Sequence, residues 1–559
     1  MRRIVKISVA LSVAAAAAAA FCFGARNDFG LGRNMEILIN MMRELAVHYV
    51  DEVDTDALAM GAAEGMMRSL DPYTEYLPEE NMSNFEMLTT GKYGGVGSLI
   101  RKRGDYVVIA QPYKGTPSDR AGLKIGDKIT AIDGEDARGF TTEEVSRRLK
   151  GDPGSTVRVT VEKLVGGATE TVTMRRERIA VPGIPYAGFI EDGIAYIHHA
   201  DFIEDCYVEM RNAIVRLQKE QPLRGIVLDY RSNGGGIMQE AVKIISLFVP
   251  KGTEVVSMRG RTASSNKSYR TEFEPIVADS VPVVVLINGN TASSSEIVAG
   301  ALQDLDRAVI MGQRSFGKGL VQVTRPVGYN SFVKLTSAKY YTPSGRCVQA
   351  VDYSGHAADG TARAVPDSLT HEFLTAGGRT VRDGGGITPD VKTEPKYAAR
   401  FAMTLYALGH IDDFGDEYFK EHHADEIDIR NFSVTDADYE LFCRFMADRE
   451  VPYESDTRHT LNMLRKAAES DLFEEDLKPA IESIESGLHD DMAANLERYR
   501  ADIIRAINND IVLRHSYAAG AAEYAMVRDE EVLRAAELLR DRRQYDSLLA
   551  PAAPETAEE

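Results

Sequence analysis

The sequence predicts an α/β protein with several domains, and three observations support that prediction. At 559 residues the chain is too long for a single hydrophobic core. Two short apolar runs rich in β-branched residues, 225–229 and 281–287, are typical of buried strands. Each run precedes a segment with apolar residues at helical spacing, 237–248 in the first case and Ile297 onward in the second. Strands that alternate with helices predict a sheet covered by helices.

Charge and cysteine content narrow the class of protein. The net charge of −20 argues against a nucleic-acid partner and favours solubility. Three cysteines, Cys206, Cys347 and Cys443, are scattered beyond the amino-terminal region. Three widely spaced cysteines do not form a disulfide framework, so we expect free thiols and at most one bridge.

The amino terminus has the pattern of a secretory signal. Arg2, Arg3 and Lys6 precede an alanine-rich apolar run over 7–23, and 22–24 offers a small-x-small cleavage site. We therefore assign 1–24 to a signal peptide and expect an exported protein, periplasmic or extracytoplasmic. An uncleaved membrane anchor through 7–23 is the alternative, because that run is near the length needed to span a bilayer.

Two amphipathic helices are predicted within residues 25–90. Apolar residues recur there at helical spacing in two runs. The Asp71-Pro72 step ends the second helix, because the residue before proline avoids the helical region. Amphipathic helices need a surface on which to pack, so we interpret 25–90 as a docking or homodimer arm. The two runs are Leu38, Met41, Met42, Leu45 and Tyr49, and then Leu58, Ala62, Met66 and Leu70.

A small β-rich domain is predicted over 91–178. Thr141 and Glu144 form a capping box ahead of a short helix. Alternating valines from Val157 onward indicate a strand, and Gly166-Gly167 supplies the turn of a hairpin.

A cluster of three serines marks the first candidate site. Ser293, Ser294 and Ser295 follow the strand 281–287 and precede a helix, so they lie at a strand-to-helix turn. Unpaired backbone N–H groups and the helix dipole favour negative charge at such a turn. This suits a nucleophile whose attack creates an oxyanion. The alternative is an ordinary cap, with Glu296 in the first turn.

A lysine between two glycines follows the serine cluster. Lys318 lies in Phe-Gly-Lys-Gly, and Gln322 comes four residues later. Residues 312–318 also fit the phosphate-binding pattern G-x-x-x-x-G-K, but Gly319 replaces the required Ser or Thr. Residues 320–323 have the pattern of a strand where a phosphate loop needs a helix, so we reject a nucleotide site.

Together, TASSSEIVAGALQD and FGKGLVQ at this spacing resemble the Ser/Lys core of the carboxy-terminal processing, or tail-specific, peptidases. The resemblance implies Ser293 as nucleophile, Lys318 as general base and Gln322 as the residue that orients the lysine. Thr291 and Ser294 depart from the family pattern, so the attacking hydroxyl stays open among the serines and motif register favours Ser293.

The same family supplies further expectations. Its fold is a crotonase-like α/β spiral, which we place at 179–395. The stretch YRSNGGG (230–236) resembles its D-L-R-G-N-G-G-G motif, with Tyr230 and Ser232 as departures. The resemblance implies an oxyanion hole from Gly235 or Gly236 and the Ser294 N–H. The alternative is a plain strand-to-helix turn.

Residues 91–178 resemble a PDZ domain, of the kind inserted ahead of the peptidase core, through GLKIGDKITAIDG. PDZ domains add a peptide strand to a sheet edge and capture its carboxylate with a glycine-containing loop. The resemblance therefore implies a peptide-binding loop, which consists of Gly94, Gly95, Val96 and Gly97.

The rest of the chain carries no readable chemistry. Residues 396–548 are acidic and mostly helical by pattern, and the tail 549–559 has a disordered composition. A histidine base from His198-His199 or His422-His423 is an alternative to the lysine. A metal site at Glu421-His422-His423 is disfavoured, because adjacent helical residues point apart. We expect no cofactor.

The sequence therefore predicts a serine endopeptidase with a Ser/Lys dyad that cleaves exported proteins. Its PDZ domain would bind exposed, apolar C-termini of polypeptide substrates. The alternative is a catalytically silent PDZ scaffold that binds tails without cutting them.

Overall fold

The computed structural model describes residues 30–356, 362–395 and 398–551. The chain forms two compact units, Met1–Glu80 with Gln322–Thr336, and Asn81–Val321 with Ser337–Glu559. The predicted signal segment 1–24 and most of the predicted disordered tail lie outside the described residues. Within the described ranges, no helix is both long and apolar enough to cross a membrane.

The first unit contains the predicted helical arm. Helix α1 spans 30–48, α2 spans Thr55–Arg68, and strand β1 spans Glu75–Leu77. Asp54 caps α2 by accepting from two backbone N–H groups of its first turn. The arm exposes large apolar side chains, so its role in docking or dimer formation stays a prediction. They include Leu31, Met35, Ile39, Leu45, Tyr49 and Met66.

The second unit begins with a small β domain that has its own core. Its main sheet has the order β3-β4-β5-β7-β8, with β6 beside β5, so β3 is an edge strand. The capping box at Thr141 and Glu144 and the hairpin at 166–167 are confirmed. The elements are α3 (Met82–Thr90), β2 (Lys92–Gly95), β3 (Ser98–Arg103), β4 (Tyr106–Pro112), α4 (Pro117–Arg120), β5 (Lys128–Ile132), β6 (Glu135–Asp136), α5 (Thr142–Leu149), β7 (Thr156–Glu162), β8 (Thr169–Arg175) and β9 (Glu177–Ala180).

A six-stranded sheet forms the centre of the second unit, in the order β10-β11-β12-β15-β16-β23. All neighbouring pairs are parallel except β10 with β11. The inner strands are apolar without alternation, because helices cover both faces. The elements from β10 to β16 are β10 (Tyr186–Glu191), β11 (Ile194–His198), α6 (Cys206–Glu220), β12 (Gly225–Asp229), α7 (Met238–Ile245), β13 (Glu254–Gly260), β14 (Lys267–Arg270), β15 (Val283–Ile287), α8 (Ser294–Asp304) and β16 (Val309–Gly312).

The strands that follow leave and rejoin this sheet. In the first unit, the early part of β18 pairs with β1, and in the second unit its end pairs with β13. Short hairpins follow before β23 closes the central sheet. The elements are β17 (Leu320–Gly328), β18 (Ser331–Tyr341), β19 (Val351–His356), β20 (Ala362–Ala364), β21 (Glu372–Leu374), β22 (Thr380–Arg382) and β23 (Val391–Lys392).

Nine helices complete the part of the chain that the structure describes. Five of them, α9, α10, α11, α14 and α15, surround an apolar core of their own, with Phe442 and Ile511 fully buried. The helices are α9 (Arg400–Ala407), α10 (His410–His422), α11 (Asp436–Met446), α12 (Asp456–Ser470), α13 (Glu474–Gly487), α14 (Met492–Arg498), α15 (Arg500–Met526), α16 (Glu530–Arg540) and α17 (Arg542–Leu549).

The two faces of the central sheet are covered by different parts of the chain. One face, here called the α8 face, packs on α6, α7 and α8. The other, the α16 face, packs on α16 and α17. Alternate residues of β15 serve the two faces, Val285 on the first and Val284 on the second. Packing of the core therefore extends across the boundary predicted at residue 395.

Candidate functional site

The serine cluster lies where β15 turns into α8, as the sequence predicted. Ser293 occupies the position before the first helical residue and has φ 57° and ψ −117°. A side chain in this region of backbone space is strained, and such strain is concentrated at functional sites. The side chain of Ser293 is half-buried.

Only one of the three serines is both accessible and uncommitted to a backbone carbonyl. Ser294 Oγ donates to the Gly236 carbonyl at 2.9 Å, and Ser295 Oγ donates to the Asn233 carbonyl at 3.0 Å. Both side chains are buried. Of the three side chains, Ser293 is therefore the one that is not fully buried.

Residues 230–236 follow β12 and are here called the glycine loop. This loop packs directly against Ser293. A Cβ placed on Gly235 would lie 2.7 Å from Ser293 Cβ and 2.8 Å from the Ser294 nitrogen, so only glycine fits there. The Gly235 N–H donates to Asn233 Oδ1 at 2.9 Å. Gly236 N–H donates to no group within the described residues. Of the two glycines predicted for the oxyanion hole, Gly236 therefore has the free amide.

Glu296 connects the turn at Ser293, here called the serine turn, to residues 313–319, here called the lysine loop. It is fully buried, and its Oε2 accepts from the Ser293 N–H at 2.9 Å and from the Lys318 N–H at 2.8 Å. Its Oε1 accepts from the Gly317 N–H at 2.8 Å and from Ser315 Oγ at 2.5 Å. Burial raises the pKa of the Glu296 carboxyl, and these donated hydrogen bonds oppose the rise. One carboxylate oxygen thus brings the backbones of Ser293 and Lys318 together.

The two glycines beside Lys318 are required by close packing. A Cβ on Gly317 would lie 2.4 Å from the Ala350 Cβ, and one on Gly319 would lie 2.8 Å from the Gln349 nitrogen. Gln349 Oε1 also accepts from the Gly319 N–H at 2.7 Å. The lysine loop is therefore held on both sides, and Lys318 itself is half-buried.

Gln322 lies in the first compact unit, at the start of Gln322–Thr336. There its amide donates to Thr336 Oγ1 at 3.1 Å. The orientation of Lys318 by Gln322 stays a prediction.

The histidines that the sequence left open have structural surroundings. His199 is fully buried against Phe202 and Tyr230, and its Nε2 lies 3.0 Å from the Asp201 carbonyl. Burial lowers the pKa of His199 to about 3. His422 instead pairs with Asp425 on the surface. Across the described ranges, no group of three His, Cys, Asp or Glu side chains could hold a metal, and Cys206, Cys347 and Cys443 are free.

The predicted peptide-binding loop divides into two parts. Gly94 and Gly95 belong to β2 and pair with β9. Val96 and Gly97 form the loop that leads into the edge strand β3, beside a shallow cavity of about 40 Å³. The Val96 carbonyl accepts from the Ser118 N–H and the Gly97 carbonyl from the Tyr113 N–H, both at 2.9 Å. The cavity is lined by Tyr93, Val96, Gly97, Ser98, Ile100, Ser146, Leu149 and Lys150.

A strained serine at a strand-to-helix turn, a glycine loop beside it and a small domain with an open sheet edge define the class, a PDZ-bearing serine peptidase. Three family models match the chain: "Peptidase family S41" over 193–359, "PDZ domain" over 108–163, and "Probable PDZ-protease, C-terminal helical domain" over 401–539.

Curated relatives agree with those matches. A carboxy-terminal-processing protease of Bartonella bacilliformis is 35% identical over 315 residues, which cover 56% of this chain and 72% of the relative. A probable CtpA-like serine protease of Staphylococcus aureus is 32% identical over 317 residues, which cover 56% of this chain and 62% of the relative. The chain belongs to peptidase family S41, the family of these carboxy-terminal processing proteases.

Two solved structures are similar over parts of the chain. A photosystem II D1 C-terminal processing protease is 26% identical, with a TM-score of 0.34, and the match covers 64% of this chain and 86% of that one. A peptide-bound PDZ domain of a carboxy-terminal protease from Vibrio cholerae is 26% identical, with a TM-score of 0.16, and covers 16% and 99%. Because both TM-scores are low, the family assignment rests on the sequence matches.

Two positioning residues escaped the sequence analysis. Glu296 was interpreted only as a possible capping residue, and its contacts to Gly317 and Lys318 depend on the tertiary fold. Asn233 holds the glycine loop by donating to the His199 carbonyl at 2.7 Å. The available signal was that both residues lie inside the stretches that resemble the family, TASSSEIVAGALQD and YRSNGGG.

Proposed function

We propose that this protein is a serine endopeptidase in which Ser293 attacks the scissile carbonyl and Lys318 acts as general base. The observation that carries the proposal is the shared acceptor Glu296 Oε2, which draws together the backbones of the two residues. A nucleophile and a base on adjacent, tightly held loops are what acyl transfer requires.

The lysine needs a lowered pKa to act as a base. An unperturbed lysine has a pKa of ~10.4, which leaves roughly one in a thousand side chains neutral at pH 7. Desolvation favours the neutral amine. The proposal therefore requires that substrate binding further desolvates the half-buried Lys318, and the proposed role of Gln322 is to orient its amine.

The oxyanion that forms on attack would be stabilised by backbone amides. Ser294 contributes the first N–H of α8, where the helix dipole favours negative charge. Gly236 contributes an amide that no described residue uses. Gly235 permits the close approach of the loop to Ser293.

The PDZ domain would select the substrates. Because a peptide plane points its carbonyl and the next N–H in opposite directions, the inward carbonyls of Val96 and Gly97 turn the amides of Gly97 and Ser98 outward. These amides suit a substrate carboxylate, and the edge of β3 suits its extended chain. Apolar C-termini of exported proteins are the proposed targets. We further propose that segment 1–24 directs export and is then cleaved or kept as an anchor. We also propose a homodimer through the arm.

The nucleophile is tested by two neighbouring substitutions. Ser293→Ala is expected to abolish cleavage of a denatured protein substrate, since the attacking oxygen is lost. Ser294→Ala is the matched control and is expected to keep most activity, because its hydroxyl only donates to a backbone carbonyl. Full activity of Ser293→Ala would overturn the assignment, and tail capture without cleavage by the unmutated protein would show a scaffold.

The base is tested by Lys318→Arg. Arginine keeps the charge but cannot lose its proton in a usable range. Lys318→Arg is therefore expected to be as inactive as Lys318→Ala, by a factor of ~10²–10⁴ in kcat. Substantial activity in a folded Lys318→Arg protein would exclude the dyad.

A further inference from the structure

The amino-terminal end of α16 touches both loops of the candidate active site, although it comes from the far end of the chain. Asp529 caps this helix by accepting from the Glu531 N–H at 2.9 Å and the Val532 N–H at 3.1 Å. A cap requires nothing more than these contacts. Asp529 and Glu531, however, both make further hydrogen bonds to the core.

The first set of contacts reaches the glycine loop through Arg231. Arg231 donates to Glu531 Oε2 at 2.8 Å, and its other terminal nitrogen lies 2.9 Å from Asp529 Oδ2. The same guanidinium donates to both oxygens of Asp229 at the end of β12. Five residues after Arg231 comes Gly236, whose amide belongs to the proposed oxyanion hole.

The second set reaches the lysine loop through Gln313. Glu531 Oε1 accepts from Gln313 Nε2 at 2.7 Å, and it also accepts from Thr393 Oγ1. Gln313 begins the segment that runs through Ser315 to Lys318. A single carboxylate on α16 therefore holds the start of each loop, one with each oxygen.

The electrostatics of this contact favour a rigid arrangement. Arg231 has 18% of its side chain exposed, and Asp229 has 5%. Burial alone would raise the pKa of Asp229, but the guanidinium of Arg231 and its hydrogen bonds hold that pKa below its ordinary value. Charge-assisted hydrogen bonds in such a dry site fix geometry more strongly than exposed ones.

We propose that Asp529 and Glu531 form a positioning element for catalysis, which holds the glycine loop through Arg231 and the lysine loop through Gln313. This inference rests on the proposed function, and it gives the carboxy-terminal helices a role in the reaction. Neither residue touches substrate. Their effect is to keep the Gly236 amide and Lys318 at the distances from Ser293 that attack requires.

The test compares Glu531→Gln with Tyr545→Phe in the full-length protein. Tyr545 anchors α17 to the same sheet, because its hydroxyl donates to the Val283 carbonyl at 2.9 Å and accepts from the Val283 N–H at 3.0 Å. Val283 begins β15, at the end of the strand away from the serine turn. Tyr545→Phe is therefore a matched control that removes buried hydrogen bonds between helix and sheet without contacting either loop.

Glu531→Gln is expected to lower kcat on a reporter peptide by 10- to 100-fold with KM within twofold, as expected for lost hydrogen bonds to charged groups. Tyr545→Phe is expected to leave kcat unchanged. Thermal unfolding checks that both variants are folded. A normal kcat in Glu531→Gln, or an equal loss in both variants, would overturn the proposal.

A double-mutant cycle gives a second readout. If Glu531 acts on the lysine loop through Gln313, the losses in kcat for Glu531→Ala and Gln313→Ala should not add, because residues that act through one contact are coupled. Additive losses would contradict that path. If the unmutated protein does not cleave, or if Ser293→Ala cleaves normally, the proposed function fails instead. The two failures are therefore distinguishable.

Discussion

The α8 face and the α16 face bury the same sheet, yet they differ in how the chain supplies their helices. On the α8 face, α6, α7 and α8 each follow a strand of the sheet within a few residues. On the α16 face, the covering helices come from the last part of the chain. The first arrangement is local and readable from sequence, and the second depends on tertiary packing. The proposed catalytic residues follow elements of the α8 face, and the proposed positioning residues Asp529 and Glu531 lie on the α16 face.

The largest effect is expected from removing α16 and α17, which tests whether these helices are needed for folding. A chain that stops at Met526 lacks α16 and α17 and leaves one face of the sheet uncovered. Each large buried side chain that is lost contributes about 1.5–3 kcal/mol, against a total stability of typically ~5–15 kcal/mol. We expect no folded peptidase core by circular dichroism. The lost buried side chains are Val532, Ala535, Ala536, Leu538, Leu539 and Tyr545.

A chain that stops at Pro551 is the control for this truncation, because it keeps both helices. It is expected to fold and to cleave normally. A folded, active chain ending at Met526 would show that the α16 face contributes neither stability nor positioning.

The second prediction concerns the α8 face alone. Glu296→Ala removes the acceptor shared by Ser293 and Lys318, and misplacement of the two is expected to lower kcat ~10²-fold. Glu240→Gln is the matched control, since Glu240 is also a buried carboxylate on this face and accepts from the Tyr207 N–H at 2.9 Å. It is expected to lose stability but keep kcat in a peptide cleavage assay. Equal kcat in both variants would contradict the role of Glu296.

The smallest expected effect is the pH dependence of folding stability that arises from His199, which is buried at the α8 face. Burial lowers the pKa of His199 to about 3, whereas an unfolded histidine titrates near 6.5. Between these values the unfolded chain binds a proton that the folded chain does not, so stability falls as the pH falls. The loss from this residue is about 2 kcal/mol at pH 5.

Urea unfolding at pH 7 and pH 5 measures this loss. His199→Phe keeps a ring against Phe202 and Tyr230 but cannot be protonated, so its stability should fall less between the two pH values. If the free energy of unfolding fell equally in both proteins, a group other than His199 would be responsible for the loss of stability at low pH.

The sequence was sufficient for the local part of the site. The strand before Ser293, the helix after it and the glycines around Lys318 follow from short-range patterns, and family S41 is confirmed. The choice between Gly235 and Gly236 could not be made, because it depends on Asn233 turning back to its own loop. Asp529 and Glu531 have the pattern of an ordinary helix start, since no sequence pattern shows which buried arginine such a helix meets.

The strained backbone conformation of Ser293 is expected to lower the thermal stability of the protein. Its φ of 57° is comfortable for glycine and costs about 1–3 kcal/mol for other residues. Ser293→Ala leaves that strain in place, whereas Ser293→Gly relieves it. The glycine form would therefore be the sturdier inactive trap for capturing bound substrates. If Ser293 is the nucleophile as proposed, we expect the unmutated protein to be less stable than the inactive Ser293→Gly variant, because serine is strained in this turn.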